Sequence, residues 1–187
     1  MPDLCLAQDR DADALLARDP LALLLGMLLD QQIPMEKAFR GPAVLAERLG
    51  ELDAVLLAEH PDLAAVMARP PAVHRFPGSM ATRVQQLCQA LVRDYGGRAE
   101  AIWEGVADGT ELRRRVQALP GFGEQKAKIF VALLGKQYAV QPPGWREAAG
   151  DYGLDDARRS VADVVSQESL LEVRAYKQAA KAALRKG

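Results

Sequence analysis

Apolar positions along the chain recur every three or four residues, interrupted by Pro, Gly and Asp rather than by long polar stretches. That pattern predicts amphipathic helices joined by short connectors. Asp19-Pro20 opens an almost continuous apolar run, Leu21–Leu29, which continues through Asp30-Gln31-Gln32-Ile33 to Pro34. Pro34 suits the first position of a new helix, where a missing N–H costs nothing. Pro42 restarts the chain, with Val44, Leu45, Arg48 and Leu49 at helical spacing, and Pro61 opens a short helix over Asp62–Ala68. Residues 69–78 read as an irregular connector. Ser79 is the expected N-cap of a long helix, Met80–Tyr95, with Val84, Leu87, Cys88, Leu91 and Val92 as its buried stripe and Gly96-Gly97 as its end. A short helix around Ile102-Trp103 follows, then one capped by Thr110-Glu111 that runs to Ala118. The last pattern, Glu168–Lys186, interleaves Leu171, Val173, Tyr176 and several Ala with basic residues.

Composition agrees with helices. Only three Ile and two Thr occur in 187 residues, too few β-branched side chains for a sandwich or barrel. An apolar fraction of 49% and a charged fraction of 26% exclude disorder and collagen-like repeats. Cys5 and Cys88 cannot supply a four-thiolate iron–sulfur cluster or a Cys-rich zinc site. Cys88 falls in an apolar stripe and reads as a buried packing residue. Leu21–Leu29 is too short to span a bilayer. The first residues are acidic where a leader would be basic, so the expectation is a cytoplasmic protein, away from membranes.

The net charge of −1 argues against a wholesale polyanion binder, but the average hides patches. Residues 110–128 hold five cations against two carboxylates, and residues 172–187 hold five against one. The first twenty residues are net acidic. A nucleic-acid surface is therefore expected in the second half of the chain.

The most informative segment is Leu119-Pro120-Gly121-Phe122-Gly123, followed by Glu124-Gln125-Lys126-Ala127-Lys128-Ile129. A helix ends, Pro and two Gly turn the backbone, and a second helix starts at once. Gly allows positive φ and close backbone approach. The new helix presents unpaired N–H groups and the positive end of its dipole, with Lys126 and Lys128 adding charge. Such a loop can seat a DNA phosphate without reading a base.

On these residues the sequence resembles the helix-hairpin-helix, Gly/Pro-rich-loop superfamily of base-excision DNA glycosylases. Leu119–Gly123 is similar to that family's hairpin. Met80–Tyr95 sits where these proteins carry an amphipathic helix. Leu25–Ile33 is similar to an early apolar helix ending in a Gln that enters the DNA stack, a role that would fall on Gln32 with Gln31 beside it. The resemblance covers roughly residues 20–150 and leaves 151–187 as a C-terminal helical extension. It implies double-stranded DNA as partner, with a damaged or extruded base, and a protein acting as a monomer. It also implies a Na⁺ or K⁺ held by the carbonyls of Gln117, Leu119 and Phe122. Read without the resemblance, Gln31-Gln32 is equally a plain polar helix end.

Departures from the family matter as much. Lyase members carry a Lys two positions after the second hairpin Gly. Here that residue is Gln125, and Lys126 is turned about 100° around the helix, which argues against a Schiff-base lyase. No iron–sulfur cluster is expected. In the loop Gly135–Trp145, Gln141 occupies the position of the family's catalytic Asp, and a neutral amide neither stabilises an oxocarbenium-like sugar nor serves as a base. Glu147, and after it Asp151, are the candidate replacements. Trp145 either stacks on an extruded base or plugs the core. The basic C-terminal helix either docks as a solvated helix or contacts the DNA backbone.

The expectation is therefore an all-α, two-lobed helical fold like a DNA glycosylase, one domain over residues 1–187. Its cleft would be lined by the hairpin, the Gln31-Gln32 helix end and the Gln141–Trp145 loop. The expected function is that of a monofunctional DNA glycosylase. A non-catalytic binder of damaged DNA and a helical interaction module are the rivals.

Overall fold

The structure is a computed structural model that describes residues 1–186. It is all-helical, with no strand among the described residues. In chain order the α-helices are α1 (Arg10–Arg18), α2 (Pro20–Leu29), α3 (Met35–Leu49), α4 (Ala54–Glu59), α5 (Leu63–Ala68), α6 (Pro77–Tyr95), α7 (Gly109–Gln117), α8 (Glu124–Gln137), α9 (Trp145–Ala149) and α10 (Gln167–Arg185). Short 3₁₀ turns cover Ala99–Ile102, Gly150–Gly153 and Val161–Asp163. Among the described residues no helix is long and apolar enough to cross a membrane.

Aspartates start five of these ten helices. Asp9, Asp19, Asp53, Asp62 and Asp108 each accept a backbone N–H from the first turn that follows. Much of the acidic charge near the N-terminus is thus structural. Asp13 is buried and takes the amides of Leu6 and Ala7 at 2.8 and 2.7 Å, which pins the N-terminal arm to α1.

Helix α2 is apolar on every side because it is the buried centre. Gly26 lets it approach α3, since a Cβ there would stand 2.5 Å from the Phe39 ring. Helix α6 packs on α4 and α5, while α8 is covered by α7, α9 and the Val161–Asp163 turn. Cys88 lies in the α6 core, and burial pushes its thiol up to about 12.

Several predicted boundaries move. Pro42 does not restart the chain but lies buried inside one continuous helix, α3. Beside it Gly41 is packed tightly on Leu29, so tertiary contact holds the helix together across a residue with no N–H to donate. Pro34 is the N-cap of α3 rather than its first residue. Helix α6 begins at Pro77, before Ser79, because Pro is favourable at a first helical position. Val92 is exposed rather than part of the α6 stripe. Asp108, not Thr110, caps α7. Helix α8 continues past Gly135 to Gln137 and closes with Ala139 in the left-handed region (φ 58°), whose successor Val140 donates back to Leu134 at 3.1 Å.

Candidate nucleic-acid interface

The hairpin between α7 and α8 is one tight turn. Phe122 N–H donates to the Leu119 carbonyl at 3.1 Å, with Pro120 second and Gly121 third at φ 86°. That is the type II arrangement, which needs a residue free to adopt positive φ. Leu119 and Phe122 are buried, and the Phe122 ring packs 5.9 Å from that of Phe130. Their side chains anchor the loop, leaving the backbone as what they could offer a ligand. The two glycines differ. A side chain on Gly121 would collide with Leu28 of α2, whereas Gly123 has an ordinary φ of −75° and open space above it. No side chain caps α8, so its first amides face that space without a protein acceptor from the N-cap position.

Lys126 does not add free charge to the loop as expected. Its ammonium donates to the carbonyls of Met27 and Leu28 at 3.1 and 3.2 Å, and Asp30 O lies at 3.5 Å. It therefore caps the C-terminus of α2, and burial holds its pKa below the ordinary lysine range. Lys128 is paired with Glu124 at 2.7 Å on the exposed face of α8. Gln125 is exposed and donates to the Tyr152 hydroxyl at 2.9 Å.

Because Gly121 and Lys126 both grip α2, the hairpin sits at the helix end that carries Gln31 and Gln32. Gln31 is tied down: its Nε2 donates to Leu28 O at 2.9 Å, and Arg83 donates to its Oε1 at 2.6 Å. His74 donates from Nε2 to the Gln31 carbonyl at 2.9 Å and accepts the Phe76 amide on Nδ1 at 3.0 Å. Gln32 is different. It is exposed and left-handed at φ 58°, a conformation that is costly outside Gly, Asn and Asp. A neutral, two-way hydrogen-bonding side chain is thus held out beside the hairpin.

The predicted cleft is assembled only in part. The Gln141–Trp145 loop does not meet the hairpin. Gln141 donates to Gly135 O at 2.7 Å, and Pro143 O takes the Gly109 amide at 2.8 Å, both at the ends of α8 and α7 away from the hairpin. Gly123 and Gly135 are twelve residues apart, about 18 Å along a helix. Gln141 lines a cavity of about 330 Å³ at that far end, with Lys136 and the buried Asp163, which are joined at 2.6 Å. Trp145 is buried against Gly135, with Arg146 4.4 Å above its ring. Of the two roles open to it, the ring fills the core.

Glu147 and Asp151 come back along α8 toward the hairpin. Gly150 lies beside the Lys128 stem, and Tyr152 meets Gln125. Both carboxylates line a cavity of about 420 Å³ with Arg146 and Asp155. Both are also exposed, and Asp151 is paired with Arg159 at 3.1 Å.

A further carboxylate escaped the sequence reading. Asp30 is the C-cap of α2, immediately before Gln31. Burial pushes its pKa up, opposed by the charges of Lys177 and Lys126. Beside it, Glu36 is bonded through Oε1 to Arg174, while its buried Oε2 has no partner. Four helices therefore meet in one charged corner next to Gln32. In the sequence Asp30 is one polar residue after nine apolar ones, and only the later packing of α8 and α10 gives it an environment.

No protein-family model, curated protein or solved structure matches the chain.

Proposed function

We propose that this protein binds duplex DNA through its hairpin and inspects a base displaced from the stack, in the manner of a monofunctional base-excision glycosylase. One observation carries the reading. The open amides beyond Gly123 and the strained, exposed Gln32 lie on the same edge, because Gly121 and Lys126 clamp the hairpin to the end of α2. A phosphate seated on the amides would fix the duplex, and a long amide side chain beside it suits a vacated base position.

A monovalent cation belongs to the same proposal. No donor among the described residues reaches the carbonyls of Gln117 or Phe122, and Leu119 O accepts one N–H and keeps a second lone pair. These oxygens fit a Na⁺ or K⁺, which would add positive charge facing a phosphate.

Excision of the base needs an anion sheltered from water beside the developing positive sugar. Glu147 and Asp151 are near α8 but solvated. Asp30 is sheltered and sits next to Gln32. The exposure of Glu147 and Asp151, together with the remote Gln141, favours a second reading: a DNA-damage binder that does not cleave.

A panel of duplexes, each with one damaged base, distinguishes the two after alkali treatment. Strand breaks at one lesion mean excision. Tight binding without breaks means a reader, and no binding to any duplex refutes both.

A further inference from the structure

Helices α8 and α10 leave a groove of about 380 Å³ between them. Its α8 wall carries Gln125 and Ile129. Its α10 wall carries Tyr176, Lys177, Ala180 and Lys181, positions that share one helical stripe. Ala180 at the centre of the stripe leaves the groove its width. No carboxylate lines it. Neither lysine forms an ion pair among the described residues, although the Lys177 charge also acts on Asp30, whereas Arg174 holds Glu36 and Glu172 holds Arg158. Arg159 closes one end, its guanidinium 5.4 Å over the Tyr176 ring. From Ala175 onward α10 is exposed all round, so packing does not account for its basic residues.

We propose that this groove binds a strand of DNA, with Lys177 and Lys181 on neighbouring phosphates and Tyr176 stacked on an unpaired base. The inference deepens the DNA-binding reading above and rests on it for the identity of the partner. Lysines in a groove whose own walls carry no carboxylate suit an anion, and the tyrosine ring beside them matches nucleic acid, which alternates phosphates with flat bases. Gln125 in the groove wall lies within one helical turn of the open amides beyond Gly123. A duplex held by the hairpin would therefore deliver a displaced strand to α10. The i,i+4 spacing of the lysines, about 5–6 Å between Cβ atoms, lets their long stems reach successive phosphates.

Fluorescence anisotropy with a labelled single-stranded oligonucleotide and a labelled duplex tests this. The variants are Lys177→Gln with Lys181→Gln, Tyr176→Ala, and Gly123→Ala, each checked by circular dichroism. The double lysine variant should bind the single strand more weakly, with a log–log salt slope shallower by about 1.4, two phosphates at roughly 0.7 each. Tyr176→Ala should weaken the single strand about tenfold, the loss of one stacked base, and change duplex affinity less. Wild-type affinity and slope in the double lysine variant would overturn the proposal, as would a wild-type chain that ignores the single strand. Gly123→Ala separates the two readings. If it leaves duplex binding intact while the lysine variant loses strand binding, the hairpin reading fails and the groove stands.

Discussion

The Lys126 ammonium is the C-terminal cap of α2, bonded to the Met27 and Leu28 carbonyls from a helix almost a hundred residues later in the chain. A helix C-terminus carries partial negative charge, so a cation there is favourable both as a donor and against the dipole. The bond also sets the hairpin beside Gln31 and Gln32. Lys126→Met keeps most of the apolar stem and removes the donors. Hydrogen bonds to charged groups typically contribute 1.5–3 kcal/mol, and the burial that lowers the Lys126 pKa offsets part of this, so the variant should lose about 1 kcal/mol of stability. Chemical denaturation checks this, with an unchanged m value expected if the fold persists. DNA affinity should fall as well, because the two halves of the proposed interface lose their register.

The hairpin glycines should separate under substitution. Gly121 needs a left-handed backbone and has Leu28 against it. Gly121→Ala meets a backbone cost of roughly 1–2 kcal/mol and overpacking on top of it. Its thermal midpoint should drop clearly. Gly123→Ala meets neither, and its stability should stay within about 0.5 kcal/mol of wild type. A loss of duplex affinity in Gly123→Ala therefore reports the ligand rather than the fold. An unaltered affinity would place the phosphate elsewhere.

What the sequence revealed and what it hid follow from range. Asp19-Pro20, Gly96-Gly97 and Leu119–Gly123 are local signals, decided within a few residues by capping and φ, and they mark the observed helix ends and the turn. The continuity of α3 through Pro42 depends on Leu29 packed on Gly41, a contact between helices. The roles of Lys126, Trp145 and Asp30 are likewise set by partners distant in sequence. In the sequence Lys126 reads as added charge, because its acceptors are backbone carbonyls, which leave no trace in side-chain spacing. The Gln141 loop looked adjacent to the hairpin because it follows the same helix, but a helix of 14 residues carries its two ends about 21 Å apart.

His74 gives the Gln31 turn a pH dependence. Burial lowers its pKa from the ordinary value of 6.5, and Nδ1 must stay unprotonated to accept the Phe76 amide. With the folded pKa below the unfolded one, the unfolded chain takes up protons first on acidification. Stability is then complete above 6.5 and is lost as pH falls from there through the folded value. Urea midpoints at about pH 7.5 and about pH 5.5 should differ more for wild type than for His74→Gln, whose side chain does not titrate there. An equal pH dependence in the two proteins would remove His74 from this role.

The carboxylates give the sharpest test of chemistry. Placing an acid at Gln141 should produce no base excision, since that side chain caps Gly135 at the far end of α8. Gln141→Asp should instead lose the 2.7 Å bond to the Gly135 carbonyl and a little stability. Glu147→Gln and Asp151→Asn alter exposed groups and should change stability little. Asp30→Asn behaves differently. Its folded pKa is raised above 3.8, so stability is fullest below 3.8 and declines as pH rises through the folded value. Removing that charge should make the protein more stable near neutrality and leave it unchanged in strong acid. An abolished single-turnover excision rate in a protein that is stabilised and still binds the lesion would identify Asp30 as the anion of the reaction, because neither unfolding nor lost binding then explains the loss. If excision survives in Asp30→Asn and falls by about a hundredfold or more in Glu147→Gln or Asp151→Asn, the reaction belongs to the α9 cavity. If all three variants and the wild type bind a lesion and none cleaves, the protein reads damage and leaves the bond intact.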